Sequence, residues 1–114
     1  MSDSAALHFC ITILPKVSRT FAINIRVLKG GLYRAVLSAY LFCRIVDTVE
    51  DAERLPLDLR NQLLDEYIAT FKTRDFRPER LAGWNSRFGA LNLADPEQAL
   101  IHDLPKVVEV FLSL

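Results

Sequence analysis

Apolar residues fill nearly every position from Ala35 to Val49, with Ser38 and Thr48 as mild exceptions, and one line of other chemistry cuts through them. At 100° per residue, Tyr33, Tyr40, Arg44, Asp47 and Asp51 fall within an arc of roughly 60° on a helical wheel. A helix here is buried on most sides and carries a charged stripe. Desolvating isolated charges is costly, so the stripe calls for a partner or a polar cavity.

The same reading extends along the chain. Residues 5–14 are apolar behind Ser4, a plausible cap, and Pro15 is expected to close that segment. Phe21, Ile23, Ile25 and Val27 alternate like a strand, while Phe21, Ile25 and Leu28 fit one helix face. Ser18 as a cap, Gly30-Gly31 as a terminator and the lack of a second strand favour helix. The third helix is expected from about Leu32 to Asp51, with a turn at Leu55-Pro56. A fourth begins near Asp58 and presents Leu63, Leu64, Tyr67, Ile68 and Phe71 as its packing face. Residues 73–95 are less regular. Their Arg74, Arg77, Arg80 and Arg87 form either a solvated basic edge or a lip over a phosphate site. Asp95-Pro96-Glu97-Gln98 combines a cap, a first-turn proline and a box-like glutamine, and Pro105 either kinks or divides the helix that follows.

Composition narrows the function. In 114 residues, 51% are hydrophobic, enough for a packed core in one all-α domain. Fourteen basic residues balance fourteen acidic ones, which removes the simplest case for a nucleic-acid partner. Cys10 and Cys43 match no metal or redox spacing and read as reduced core residues. The first residues make a poor signal peptide, and Arg34, Arg44 and Asp47 interrupt the apolar run before it reaches spanning length. A cytoplasmic protein is expected, with room for peripheral association at a membrane.

Asp47 and Asp51 project side by side, with Glu50 on the adjacent flank, and such oxygen ligands suit Mg²⁺, which also takes phosphate oxygens and water. Arg44, one turn earlier, could bind the same phosphates. The plainer alternative pairs Arg44 with Asp47 and leaves Glu50, Asp51 and Glu53 as a solvated helix end.

Ser18-Arg19-Thr20-Phe21, then Tyr40 with Arg44, then Asp47-Thr48-Val49-Glu50-Asp51 resemble the N-terminal signatures of the squalene/phytoene synthase family, over about residues 8–53. The wording of the acidic motif is more squalene-like than phytoene-like. The resemblance implies the N-terminal part of an isoprenoid-synthase-type helical bundle. Enzymes of this family join two prenyl diphosphates head to head through a cyclopropyl intermediate, with Mg²⁺ assisting diphosphate loss and NADPH used where squalene forms.

Position by position, the resemblance implies that Asp47, Glu50 and Asp51 hold metal and that Ser18, Arg19 and Arg44 contact the diphosphate of a prenyl substrate, farnesyl diphosphate being the first expectation. Tyr40 would face the developing carbocation and Phe21 would line the prenyl channel. Beside these roles stand plainer ones: Ser18 as a helix cap, Phe21 as core and Tyr40 as a hydrogen-bonded core tyrosine.

The family uses a second acidic motif on a later helix. The carboxylates after Asp51, from Asp58 to Glu109, make no comparable cluster on an apolar helix. Together with the apolar stretch Val107–Leu114, this leads us to expect an N-terminal piece of a larger synthase domain, inactive alone and prone to self-association through exposed apolar surface. A non-catalytic helical relic or assembly protein of the same fold is the alternative.

Overall fold

The computed structural model describes residues 2–25 and 28–114. Seven helices follow one another: α1 (Ser2–Val17), α2 (Arg19–Ile25), α3 (Gly30–Glu50), α4 (Leu57–Thr73), α5 (Pro78–Ser86), α6 (Pro96–His102) and α7 (Leu104–Leu112), and no strand occurs among the described residues. Helix α3 is the hub, packing on α1, α2, α4, α6 and α7. It buries Leu37, Ser38, Leu41, Phe42, Ile45 and Val49. Ser38 is tolerated in this wall because its hydroxyl donates to the Ala35 carbonyl at 3.2 Å.

Local chemistry explains most boundaries. The Ser18 hydroxyl accepts the Phe21 N–H at 3.3 Å, which caps α2 as its sequence predicts. Asp95 accepts the Glu97 N–H at 3.1 Å and opens α6. Gln98 does not accept the backbone N–H of Asp95, which goes to the Asn92 carbonyl at 3.0 Å; instead it donates to the Asp95 carboxylate at 3.1 Å and accepts the Asn92 N–H at 2.8 Å, tying the preceding loop to α6. Pro105 divides the last helical stretch, with Asp103 between α6 and α7.

Several expectations are corrected. Ser4 lies inside α1 rather than capping it, and α1 continues past Pro15 to Val17. A proline in the last turn removes one backbone donor but leaves the neighbouring bonds intact, and the Ser18 N–H still reaches the Leu14 carbonyl at 2.8 Å. Within the described residues α2 ends at Ile25, and Val27 of the alternating pattern lies outside them. The Gly30-Gly31 pair begins α3 instead of ending α2. Gly30 takes φ +60°, a left-handed conformation that glycine adopts without steric cost.

In the irregular-looking 73–95 stretch, Pro78 at the first turn starts a nine-residue helix, α5. Trp84 fastens it to α4 by donating from Nε1 to the Leu63 carbonyl at 2.9 Å. Around this joint, Tyr67 donates to the Phe42 carbonyl at 3.0 Å, and burial pushes its phenol pKa up. Phe42, Phe71, Phe76 and Phe111 join edge to face and tie α3, α4 and α7 together. On the expected face of α4, Leu63 and Tyr67 are buried but Ile68 is 52% exposed.

The cysteines separate as well: Cys10 is fully buried, whereas Cys43 is exposed and not in the core. Burial raises the Cys10 thiol pKa to about 12, with Lys106 opposing weakly.

Two outcomes follow. Ile45→Ala, at a fully buried position of the hub, lowers unfolding free energy in urea by about 2–5 kcal/mol, whereas Ile68→Ala on the solvent side changes it by less than about 1 kcal/mol. Iodoacetamide at pH 8 labels Cys43 in the folded protein and leaves Cys10 unmodified, because Cys10 is both shielded and protonated well above that pH; mass spectrometry of the digested protein reads the difference.

Candidate functional site

The stripe on α3 divides into an aromatic half and a charged half. At the aromatic half, α2 lies alongside, and the Phe21 and Tyr40 rings stack with centroids 3.9 Å apart and planes 11° from parallel. The Ser18 cap fixes the N–H of Phe21 itself, so the hydroxyl that starts α2 also helps aim the ring at Tyr40. Arg19 leaves on another face of α2. With Tyr33 it borders a cavity of about 530 Å³ whose other walls are Ile11, Leu14, Pro15, Ala22 and Ile23. A roomier opening of about 600 Å³ lies between α5 and the α6–α7 region and receives none of the stripe residues.

At the charged half, Arg44 Nη2 meets Glu97 Oε1 at 2.5 Å, while Arg44 Nη1 lies 3.5 Å from Asp47 Oδ2. The Thr48 hydroxyl donates to the Arg44 carbonyl at 2.8 Å, with Glu97 Oε2 a longer second acceptor at 3.3 Å. The i,i+3 pairing of Arg44 with Asp47 therefore exists, but it is the looser of two contacts. Glu97 and Thr48 are the members of this cluster that sequence reasoning missed. A capped first turn of α6 marks Glu97 as a carboxylate favoured by the helix dipole. Its reach to α3, however, spans 53 positions of chain and leaves no local pattern.

Asp47, Glu50 and Asp51 are all exposed. They stand on or just beyond the last turn of α3, where the negative end of the helix dipole disfavours carboxylates by about 0.3–1 kcal/mol each. Arg60 relieves part of this strain, donating from Nη1 to the Glu50 carbonyl at 2.9 Å. Among the described residues, no group of three or more His, Cys, Asp or Glu side chains is gathered as a ready-made cation cage. What the charged half offers is an open row of hard oxygen donors, suited to a cation that keeps much of its water.

Three of the four arginines of residues 73–95 are engaged elsewhere. Arg77 donates to Asp75 at 2.7 and 2.9 Å, holding that carboxyl below its usual pKa. Arg80 bonds the Thr70 hydroxyl at 3.0 Å, and Arg87 pairs with Glu66 and with Gln62. Asp75 and Glu79 stand four apart but share no helix face: Asp75 precedes α5, and both flank Arg77.

Comparison with known proteins places this arrangement. The family model of squalene/phytoene synthase matches residues 14–110. The squalene synthase of Schizosaccharomyces pombe is 30% identical over 105 residues, which cover 92% of this chain and 21% of that protein. Squalene synthase LSS of Botryococcus braunii is 35% identical over 108 residues, 95% of this chain and 21% of its own length. A protein described as inactive squalene synthase 2, from Arabidopsis thaliana, is 41% identical over 58 residues, 51% of this chain and 14% of that protein. No solved structure matches significantly. The chain spans about a fifth of the length of the first two of these relatives. The match over residues 14–110 and the identity with squalene synthases along most of the chain lead to one conclusion: this chain belongs to the squalene/phytoene synthase family, with the all-helical architecture of that family.

Proposed function

We propose that the chain forms one wall of a prenyl diphosphate site in a squalene-synthase-type transferase that condenses two prenyl diphosphates head to head, farnesyl diphosphate being the substrate the squalene-like motif favours. The observation that carries this reading is the continuity of the α3 stripe, aromatic where α2 stacks on it and acidic at its C-terminal end.

Asp47, Asp51 and Glu50 would hold Mg²⁺. Their exposed carboxylate oxygens fit its preference for hard ligands, and the unfavourable helix dipole at that end is relieved by a cation. When bound, Mg²⁺ would supply neutralisation of the departing diphosphate. Arg44, one turn away and sharing its charge with Glu97, would contact diphosphate, as would Ser18 and Arg19 from α2. The cap uses Ser18 Oγ as an acceptor and leaves its O–H free to donate to a phosphate oxygen. Phe21 orients an apolar tail along the stripe. Tyr40, one face of which Phe21 covers, would turn its phenolic oxygen toward developing positive charge. NADPH would enter only if squalene is the product.

No helix among the described residues is long and apolar enough to cross a membrane. We place the chain in the cytoplasm, with peripheral contact at a membrane where its prenyl substrates partition. Exposed Ile11, Ile23, Leu32, Leu57 and Leu112 support self-association or cover by further helices.

A second reading, a non-catalytic member of the fold, draws on the absence of a closed carboxylate cage among the described residues and on the relative described as inactive. In both readings the chain alone makes no squalene from farnesyl diphosphate, NADPH and Mg²⁺; in the second the acidic row also binds no diphosphate.

Calorimetry separates the two. The folded chain binds a non-hydrolysable farnesyl diphosphate analogue in Mg²⁺ buffer, and Asp47→Ala or Asp51→Ala weakens this about 10-fold or more; absence of heat from a folded wild-type sample rejects the transferase reading. Phe21→Ala weakens the farnesyl analogue but leaves inorganic diphosphate unchanged, since the ring serves only the tail. Equal losses for both ligands would remove Phe21 from that role.

A further inference from the structure

Arg44 faces two carboxylates but treats them unequally. Nη2 sits 2.5 Å from Glu97, against 3.5 Å from Nη1 to Asp47. Arg44 is half-buried, with a quarter of its side chain exposed, and its Nε–H lies buried without a hydrogen-bond partner. A guanidinium so withdrawn from water binds tightly to whichever carboxylate it reaches. On α3 alone that carboxylate would be Asp47, three residues on and on the same face. Such a pair would occupy Asp47 and set a positive charge beside any cation approaching it.

Glu97 changes this outcome. It enters from the first turn of α6, where the helix dipole favours a carboxylate and where Asp95 bonds its N–H at 3.1 Å. The Thr48 hydroxyl near Oε2 helps to orient it. The short contact draws the guanidinium toward α6 and cancels its charge, and Asp47 stays 55% exposed. We propose that Glu97 is a positioning residue that loosens the hold of Arg44 on Asp47 and so keeps Asp47 available to a divalent cation. The proposal rests on the metal-site reading above and adds a residue outside the acidic motif, on a helix that contributes nothing else to it.

Titration with Mn²⁺, followed by electron paramagnetic resonance of the free ion, tests this without any turnover. Glu97→Gln, nearly isosteric, weakens Mn²⁺ binding on the order of 10-fold, the scale on which groups orienting a metal ligand act. The Arg44 Nε–H resonance shifts in the same variant as the side chain turns to Asp47. Adding Arg44→Gln to Glu97→Gln restores affinity to within about twofold of wild type, because the displaced competitor is gone. A purely structural role would also be repaired once both partners of the ion pair are gone, so the deciding readout is weaker Mn²⁺ binding together with the Arg44 Nε–H shift in a Glu97→Gln variant whose urea unfolding midpoint equals that of the wild type. Should Glu97→Gln not fold, Glu97→Asp, which keeps the charge but shortens the reach, is read in the same way: a smaller loss, again cancelled by Arg44→Gln. Unchanged Mn²⁺ affinity in a folded Glu97 variant, or a loss that persists in the double variant, overturns the role of Glu97 and leaves the metal site standing. No Mn²⁺ binding by the wild-type chain overturns the metal site and this role together.

Discussion

A guanidinium set into a wall of apolar helices must find a carboxylate, and that requirement organises the charged end of this molecule. Helix α3 spends most of its circumference on Leu37, Leu41, Ile45, Val49 and their neighbours, which five other helices cover. The side left over carries Tyr33, Tyr40, Arg44, Asp47 and Asp51. Arg44 could satisfy itself locally with Asp47, yet its shorter contact is to Glu97 of α6. Docking α6 against α3 therefore does two jobs: it seals the core through Leu100 and Ile101, and it brings in the counter-charge.

The aromatic end depends on a different small interaction. One serine hydroxyl starts α2 and fixes the backbone of Phe21, whose ring then lies flat on Tyr40. Capping and candidate function are thus not alternatives at Ser18: the cap sets the geometry that a prenyl tail would meet. The same holds for Phe21 and Tyr40, half-buried and stacked, serving as both packing and surface.

What the sequence made legible were features with short-range causes. The apolar periodicity of α3 and the caps at Ser18 and Asp95 are read directly, Pro105 marks a kink or a break without deciding between them, and the motif pair points to the family. The failures were long-range or depended on what covers a surface. Glu97 finds Arg44 across the fold, which no spacing encodes. Cys43 and Ile68 are apolar enough for a core but face outward because nothing described here packs on them. Helix α5 was hidden because its sequence is polar on average, and only Leu81, Trp84 and the following Phe88 reach inward. Pro15 has the look of a stop, although a proline in a helix's last turn costs one bond and does not end it.

The central claim is that the C-terminal end of α3 is a cation-dependent diphosphate surface. Its most direct test is to follow the backbone amide resonances of the isotopically labelled chain while Mn²⁺ is added at substoichiometric levels with inorganic diphosphate. Paramagnetic broadening that centres on Asp47–Asp51 and fades along α3 toward Tyr33 is the predicted result. Broadening centred on other carboxylates such as Glu79 or Glu109, or spread evenly over the acidic surface, would contradict it.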